Sequence, residues 1–292
     1  MIWLGPQTMA KRAAAVVLAV ACAGIAAAGQ APTFSTRTDV VRLDVLVTDG
    51  TQPVTGLEAR DFEVLDNGVP QQVDLVAFED APLNIVLALD MSRSVSGMKL
   101  VQLRSAAQMV IGSLAPRDKG ALLSFASTVF ARVPLTDDRM RLIDALKAAP
   151  TTGDTAVVDA SYGAVLLSES DIGRPVVIIF SDGVDTASFL TAESVLNTTR
   201  RSDAVVYAVA SGDASRDPFL EELCRNTGGR LVDVRSANEF RQTFLGLLSE
   251  LRHRYLLSYT PAGATQPGWH GVEVRVKDRP ATVKARPGYF RR

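Results

Sequence analysis

The sequence predicts an α/β fold: a doubly wound, mostly parallel sheet flanked by helices, with a small all-β sandwich built from the two ends of the chain. Three observations predict it. Continuous apolar runs at 85–89, 121–125, 176–180 and 205–210 read as strands buried on both faces. Between them lie apolar stripes at helical spacing: Leu100, Leu103, Ala107, Val110 and Leu114, and later Phe240, Phe244, Leu247, Leu248 and Leu251. Before and after this region, at 36–78 and 255–292, the pattern turns to period-two alternation and turn residues.

In chain order, residues 1–29 contain no acid and only two bases, Lys11 and Arg12. An apolar run from 13 to 28 follows and ends in Ala26, Ala27, Ala28 and Gly29. A basic start, a run of that length and small residues at its end predict a secretory signal peptide over 1–29. The run is shorter than the ~20 residues of a membrane-spanning helix. Met9 is an alternative start, and Cys22 offers a lipoprotein variant of the same leader. The expected destination is the periplasm or the exterior, with no membrane span once the leader is removed.

Residues 30–81 form the first part of the sandwich. Val41, Leu43, Val45 and Val47 alternate, and short strands fit 62–65 and 73–78, separated by turn signals at Asp49-Gly50 and Asp66-Asn67-Gly68. Residues 82–254 form the α/β domain. Thr191 and Asp217, the latter followed by Pro218, are expected to cap helices, and Gly228-Gly229 to end one. Residues 255–292 return to strands, at 255–259, 272–276 and 282–285, with Pro261, Gly263, Pro267 and Gly268 in the first loop. Each end is too small to bury a core alone, so the two are expected to pair.

Composition narrows the chemistry. The chain has 292 residues, 31 Lys+Arg against 32 Asp+Glu, 2 His and 2 Cys. The near-zero balance argues against a nucleic-acid partner. Two cysteines make neither a disulfide framework nor a four-thiolate zinc site. Removing Lys11, Arg12 and Cys22 with the leader leaves 29 bases against 32 acids, a net charge of −3, and one cysteine. That residue, Cys224, lies in a helical pattern and is expected to be a buried apolar group. His253 reads as a helix-end residue, and His270, beside Trp269, as a surface tip. The chain contains neither a phosphate-binding Gly-x-x-x-x-Gly-Lys-Ser/Thr loop nor a Gly-x-Gly-x-x-Gly fingerprint. No Ser, His and acid set falls at strand ends together. The chain is therefore not expected to be an enzyme.

Ligands of open α/β sheets bind outside the carboxyl ends of the strands. The strand at 85–89 is followed by Asp90-Met91-Ser92-Arg93-Ser94, and that at 176–180 by Ser181-Asp182-Gly183. Gly153-Asp154-Thr155 stands directly before a helix expected near Ala156. This is an all-oxygen inventory of hydroxyls and carboxylates, suited to Mg2+, Mn2+ or Ca2+ rather than to zinc or copper. Mg2+ stands first, because two carboxylates leave coordination positions for water.

Asp90-x-Ser92-x-Ser94, then Thr155, then Asp182-Gly183 resembles the metal-ion-dependent adhesion site (MIDAS) of von Willebrand factor A domains. The resemblance spans about 82–254. It implies that Ser92, Ser94 and Thr155 contact the metal directly or nearly so, and that Asp90 and Asp182 hold it directly or through water. Gly56-Leu57 with Asp61-Phe62, and Pro287-Gly288-Tyr289-Phe290, resemble secreted bacterial proteins carrying a related domain. Arg93 departs from the glycine common between the two serines; Asp154 and Asp185, beside the other ligand loops, are expected to offset it. The implied function is an exported binding protein whose cation engages an Asp or Glu carboxylate of a protein partner. A terminal helix at 237–251 is a candidate affinity switch. The alternative is a structural or assembly component of the cell envelope, in which the metal only stiffens the loops.

Overall fold

A computed structural model describes residues 40–78, 81–210, 214, 216–234 and 237–291. The leader expected at 1–29, with Cys22, lies outside the described residues. Among those described, no helix is long and apolar enough to cross a membrane.

The centre is a six-stranded sheet in the order β11-β10-β9-β6-β7-β8. Its strands are β6 (Leu83–Asp90), β7 (Lys119–Phe125), β8 (Val129–Thr136), β9 (Arg174–Ser181), β10 (Val205–Ala210) and β11 (Leu231–Asp233). All pairings are parallel except the β7–β8 hairpin. Every residue of β6 is buried, as a central parallel strand covered on both faces requires.

Among the described residues, six helices cover it: α1 (Met98–Ser113), α2 (Arg139–Ala148), α3 (Val157–Ser168), α4 (Ala192–Thr199), α5 (Pro218–Asn226) and α6 (Ala237–Arg252). Side chains of α1, α2 and α6 pack with Ile85, Leu87 and Leu89 on one face. Those of α3, α4 and α5 pack with Val86 and Ala88 on the other. The alternation along β6 thus feeds two cores. Two of the expected caps form: the Thr191 side chain accepts from Ser194 N–H (3.2 Å), and that of Asp217 from Phe219 N–H (2.8 Å). The Thr227-Gly228-Gly229 turn ends α5 against the sheet so closely that a Cβ at Gly229 would lie 1.9 Å from the Val206 carbonyl oxygen. Cys224 is buried in α5, and burial pushes its thiol up to about 12, which makes it inert at neutral pH.

The strands at 41–78 and 254–291 pair with each other as expected. One sheet has the order β14-β1-β12-β5, with β2 beside β1; the other is β15-β13-β3-β4. Here β1 is Val41–Asp49, β2 Gln52–Pro53, β3 Phe62–Asp66, β4 Val69–Gln71, β5 Asp74–Phe78, β12 Arg254–Tyr259, β13 Gly268–Val276, β14 Thr282–Lys284 and β15 Gly288–Arg291. Amino-terminal β1 pairs with carboxyl-terminal β12 and β14, and β3 with β13. Leu43, Val45, Phe62, Val64, Tyr255 and Leu257 share the core between the two sheets.

His270 corrects its expected position. It lies within β13 and is 1% exposed. Its Nδ1 is 2.6 Å from Asp66 Oδ1, and its Nε2 is 2.6 Å from the Gln266 carbonyl oxygen. Tyr259 and Tyr289 donate to the other oxygen of Asp66, at 2.9 and 2.8 Å. The strand begins at Gly268, four residues earlier than the alternation at 272–276 indicates, because residues 268–271 pair with β15. His253, by contrast, follows α6 as expected, with Nδ1 2.7 Å from the Ser249 carbonyl oxygen.

Candidate metal centre

Strand order reverses around β6, whose neighbours are β7 on one side and β9 on the other. The carboxyl ends of β6 and β9 therefore open onto the crevice where α/β sheets bind ligands. Asp90 is the last residue of β6, and Asp182 follows the last residue of β9.

Asp90 is 1% exposed, and both its oxygens are engaged. Oδ1 accepts from the backbone N–H of Ser92 (2.9 Å), a local turn that short polar side chains favour. Oδ2 accepts from the hydroxyl of Ser181 (2.7 Å). Burial pushes the Asp90 carboxyl above its ordinary value; hydrogen bonds from Ser92 and Ser181 oppose this, and the negative charge of Asp182 adds to it.

From Asp90 the polar atoms form a chain. Ser92 Oγ and Ser94 Oγ are 2.9 Å apart, and Ser94 Oγ donates to Asp182 Oδ1 at 2.7 Å. The even-numbered side chains of the loop thus converge, as their spacing predicts, while Arg93 points elsewhere. The loop is tied to the 152–155 segment by Arg93 N–H to the Gly153 carbonyl (3.2 Å) and Thr152 N–H to the Met91 carbonyl (2.8 Å). Gly153 has φ +76°, and a Cβ there would sit 2.6 Å from Ser127 Oγ, so glycine is required for this approach.

Thr155 is buried at the same edge of the sheet. Its carbonyl accepts from Thr186 N–H (2.8 Å) and Ala187 N–H (3.1 Å), and its N–H donates to Thr186 Oγ1 (3.1 Å). Thr155 Oγ1 lies 3.5 Å from where a Cβ of Gly183 would be, beside Asp182. Asp90, Ser92, Ser94 and Asp182 are linked by hydrogen bonds through Ser181 and the two serines; Thr155 is brought next to them by the loop after β9.

Arg93 pairs with Asp154, Nη2 to Oδ1 at 2.9 Å, on an exposed surface. Asp185, the other acid expected to offset it, instead accepts from Val158 N–H (3.2 Å) and the Ser188 hydroxyl (2.6 Å). Asp159 accepts from the N–H groups of Phe189 and Leu190, at 3.0 and 2.9 Å. These two acids hold the 183–190 loop against the start of α3. Sequence reasoning did not find this role for Asp185, Asp159 or Ser181. An Asp-x-x-Ser turn at 185–188 is the only local signal for it.

Lys99 was also missed. Its Nζ lies 2.6 Å from Asp182 Oδ2. An ammonium so placed means that Asp182, nearly buried itself, offers an oxygen to a cation. Among the described residues no cluster of three or more His, Cys, Asp or Glu is arranged for a metal. The donors here are instead two carboxylates and three hydroxyls. Hard oxygen donors of this kind fit a hard divalent cation with room for water.

Residues 84–245 match the family model for the von Willebrand factor type A domain. Inter-alpha-trypsin inhibitor heavy chain H4 of Homo sapiens is 27% identical over 164 residues, which are 51% of this chain and 18% of that protein. The chain thus covers less than a fifth of that relative. A von Willebrand factor type A structure from Catenulispora acidiphila is 12% identical with a TM-score of 0.54, covering 88% of this chain and 75% of that one. Proximal thread matrix protein 1 from the mussel byssus, in a structure with a zinc-occupied MIDAS motif, is 15% identical with a TM-score of 0.54, covering 63% and 49%. At these identities the solved structures share the fold.

Proposed function

The chain belongs to the von Willebrand factor type A domain family, and from that premise we propose that it is an exported, non-enzymatic binding protein. Its α/β domain, 82–254, would hold a divalent cation through Asp90, Ser92, Ser94, Thr155 and Asp182. The cation would complete its coordination with an Asp or Glu carboxylate of a protein partner. The observation that carries this reading is the run of hydroxyl and carboxylate contacts from Ser92 through Ser94 to Asp182, at 2.9 and 2.7 Å, on the carboxyl edge of the sheet. The proposed boundaries set a leader at 1–29 and a sandwich from 30–81 and 255–292 around that domain.

What the residues do in this proposal is bind and orient. Ser181 and the Ser92 N–H fix both oxygens of Asp90. Asp159 and Asp185 steady the loop after Asp182. A bound cation would supply an electrophilic point for the partner's carboxylate. Mg2+ is the preferred ion on donor chemistry. Zinc belongs in the comparison because the byssus protein's motif is zinc-occupied.

Isothermal titration with Mg2+, Mn2+, Ca2+ and Zn2+ tests the site, in the natural protein and in Asp90→Ala with Asp182→Ala. Binding by the natural protein that is lost in the double variant is expected; no binding by the natural protein sinks the reading.

A second reading, an envelope assembly component whose sandwich makes the main contacts, is favoured by one observation. Trp269 and Phe290 are partly exposed, with Arg200 and Arg201 stacked over them at 5.5 and 4.8 Å. Aromatic and arginine side chains of this kind are common interface anchors. Partner capture that survives EDTA would favour this reading over the first.

A further inference from the structure

We infer that Lys99 is a tethered counter-cation of the proposed metal site, one that neutralises Asp182 in the metal-free protein and weakens metal binding. The inference rests on the cation-binding reading above.

Two observations carry it. Lys99 Nζ sits 2.6 Å from Asp182 Oδ2, while Asp182 Oδ1 is taken by Ser94. The ammonium therefore uses the one oxygen of Asp182 that the serine leaves open. The second observation is the position of Lys99 in α1. It is the second residue of the helix, whose first turn contains no acid. A cation there faces the positive end of the helix dipole and is disfavoured by it. Asp182, from a different strand end, supplies the compensating charge.

The charges around the site follow. Arg93 and Asp154 cancel each other on the surface. Asp90 and Asp182 face the site with Lys99 as the neighbouring cation. With Lys99 present, a divalent ion meets a site of formal charge −1 instead of −2, and must displace or tolerate an ammonium. The half-exposed lysine stem lets the head group swing away, so the effect is a graded weakening of affinity, not a block.

The test uses the full mature chain and the metal alone. Lys99→Met is compared with the natural protein by calorimetric titration with Mg2+ and by thermal unfolding in EDTA. Lys99→Arg, which keeps the charge, serves as control. Removing the charge is expected to tighten Mg2+ binding about fivefold, the scale of a solvent-screened charge pair. It is also expected to lower the unfolding midpoint in EDTA, because Asp90 and Asp182 then face each other without a cation. Lys99→Arg is expected to leave both close to the natural values. Mg2+ binding by Lys99→Met that is equal to or weaker than that of the natural protein overturns the inference while leaving the metal site intact. Absence of Mg2+ binding in both proteins overturns the metal reading, and this inference with it.

Discussion

Asp44 of β1 accepts two hydrogen bonds from Arg174 at the start of β9, from Nε at 2.9 Å and from Nη2 at 2.7 Å. Its other oxygen binds Arg254, which is 1% exposed and also donates to the Tyr207 hydroxyl at 2.9 Å and the Gly228 carbonyl at 3.0 Å. One carboxylate of the sandwich thus neutralises two guanidinium groups at the foot of the α/β sheet. Asp44→Ala leaves both without their acid. The expected loss is about 3–5 kcal/mol, the usual cost of orphaning a buried charge. Urea unfolding measures it; a loss under about 1 kcal/mol would refute the role given to Asp44.

A second buried acid holds the sandwich itself. Asp66 binds His270, Tyr259 and Tyr289. Burial and the charge of Asp66 push both phenols up, so they remain donors across the physiological range. Asp66→Ala strands three polar groups and is expected to cost about 2–4 kcal/mol. Phe substituted for Tyr289 removes one donor and is expected to cost about 1 kcal/mol. Chemical denaturation of the two variants should preserve that ranking.

Asp118 gives a pH signature. It is buried and accepts from the N–H groups of Leu83 (2.9 Å) and Ala115 (2.6 Å) and from Arg252. Burial alone would raise its carboxyl, but the Arg252 and backbone hydrogen bonds outweigh burial and hold it below the ordinary value. A depressed folded-state value means stability that is present above the unfolded value, about pH 4, and lost as pH falls through the folded one. Asp118→Asn should therefore be less stable at pH 7 and show a shallower loss below about pH 4. Parallel melting curves of the two proteins between pH 7 and pH 2.5 check it; identical acid slopes would contradict the assignment.

Arg93 should matter more to a partner than to a metal. Its pair with Asp154 is exposed on both sides, and such pairs contribute little. Arg93→Gly is expected to change Mg2+ affinity less than about fivefold. Its effect on retention of a captured partner should be larger. Equal losses in both measurements would place Arg93 in the metal site after all.

Much of this was legible because burial leaves strong marks. The strand at 85–89 is apolar at every position and is central; Asp90, Ser92 and Ser94 alternate and converge. β8 was invisible for the opposite reason. Its sequence mixes Phe130, Arg132 and Pro134, as edge strands do, and its pairing with β7 is irregular. Lys99 and Asp159 could not be read either. Each acts on a group about 30 or more residues away, Lys99 on Asp182 and Asp159 on the 189–190 backbone, and local spacing carries no trace of such a contact. His270 was misplaced because a buried polar cluster imitates a surface loop in composition.

β9 begins with Arg174, fastened to the sandwich through Asp44, and ends with Ser181, fastened to Asp90. Its eight residues run without a break between those two anchors. In the proposed function, a tug on a partner seated at the carboxyl edge would pass through the Asp90–Ser181 hydrogen bond, along that strand, and through the Arg174–Asp44 ion pair into the sandwich. Under such a load the strand would act as a tie rod, with the Asp44 junction the point where tension leaves one part of the molecule and enters the other.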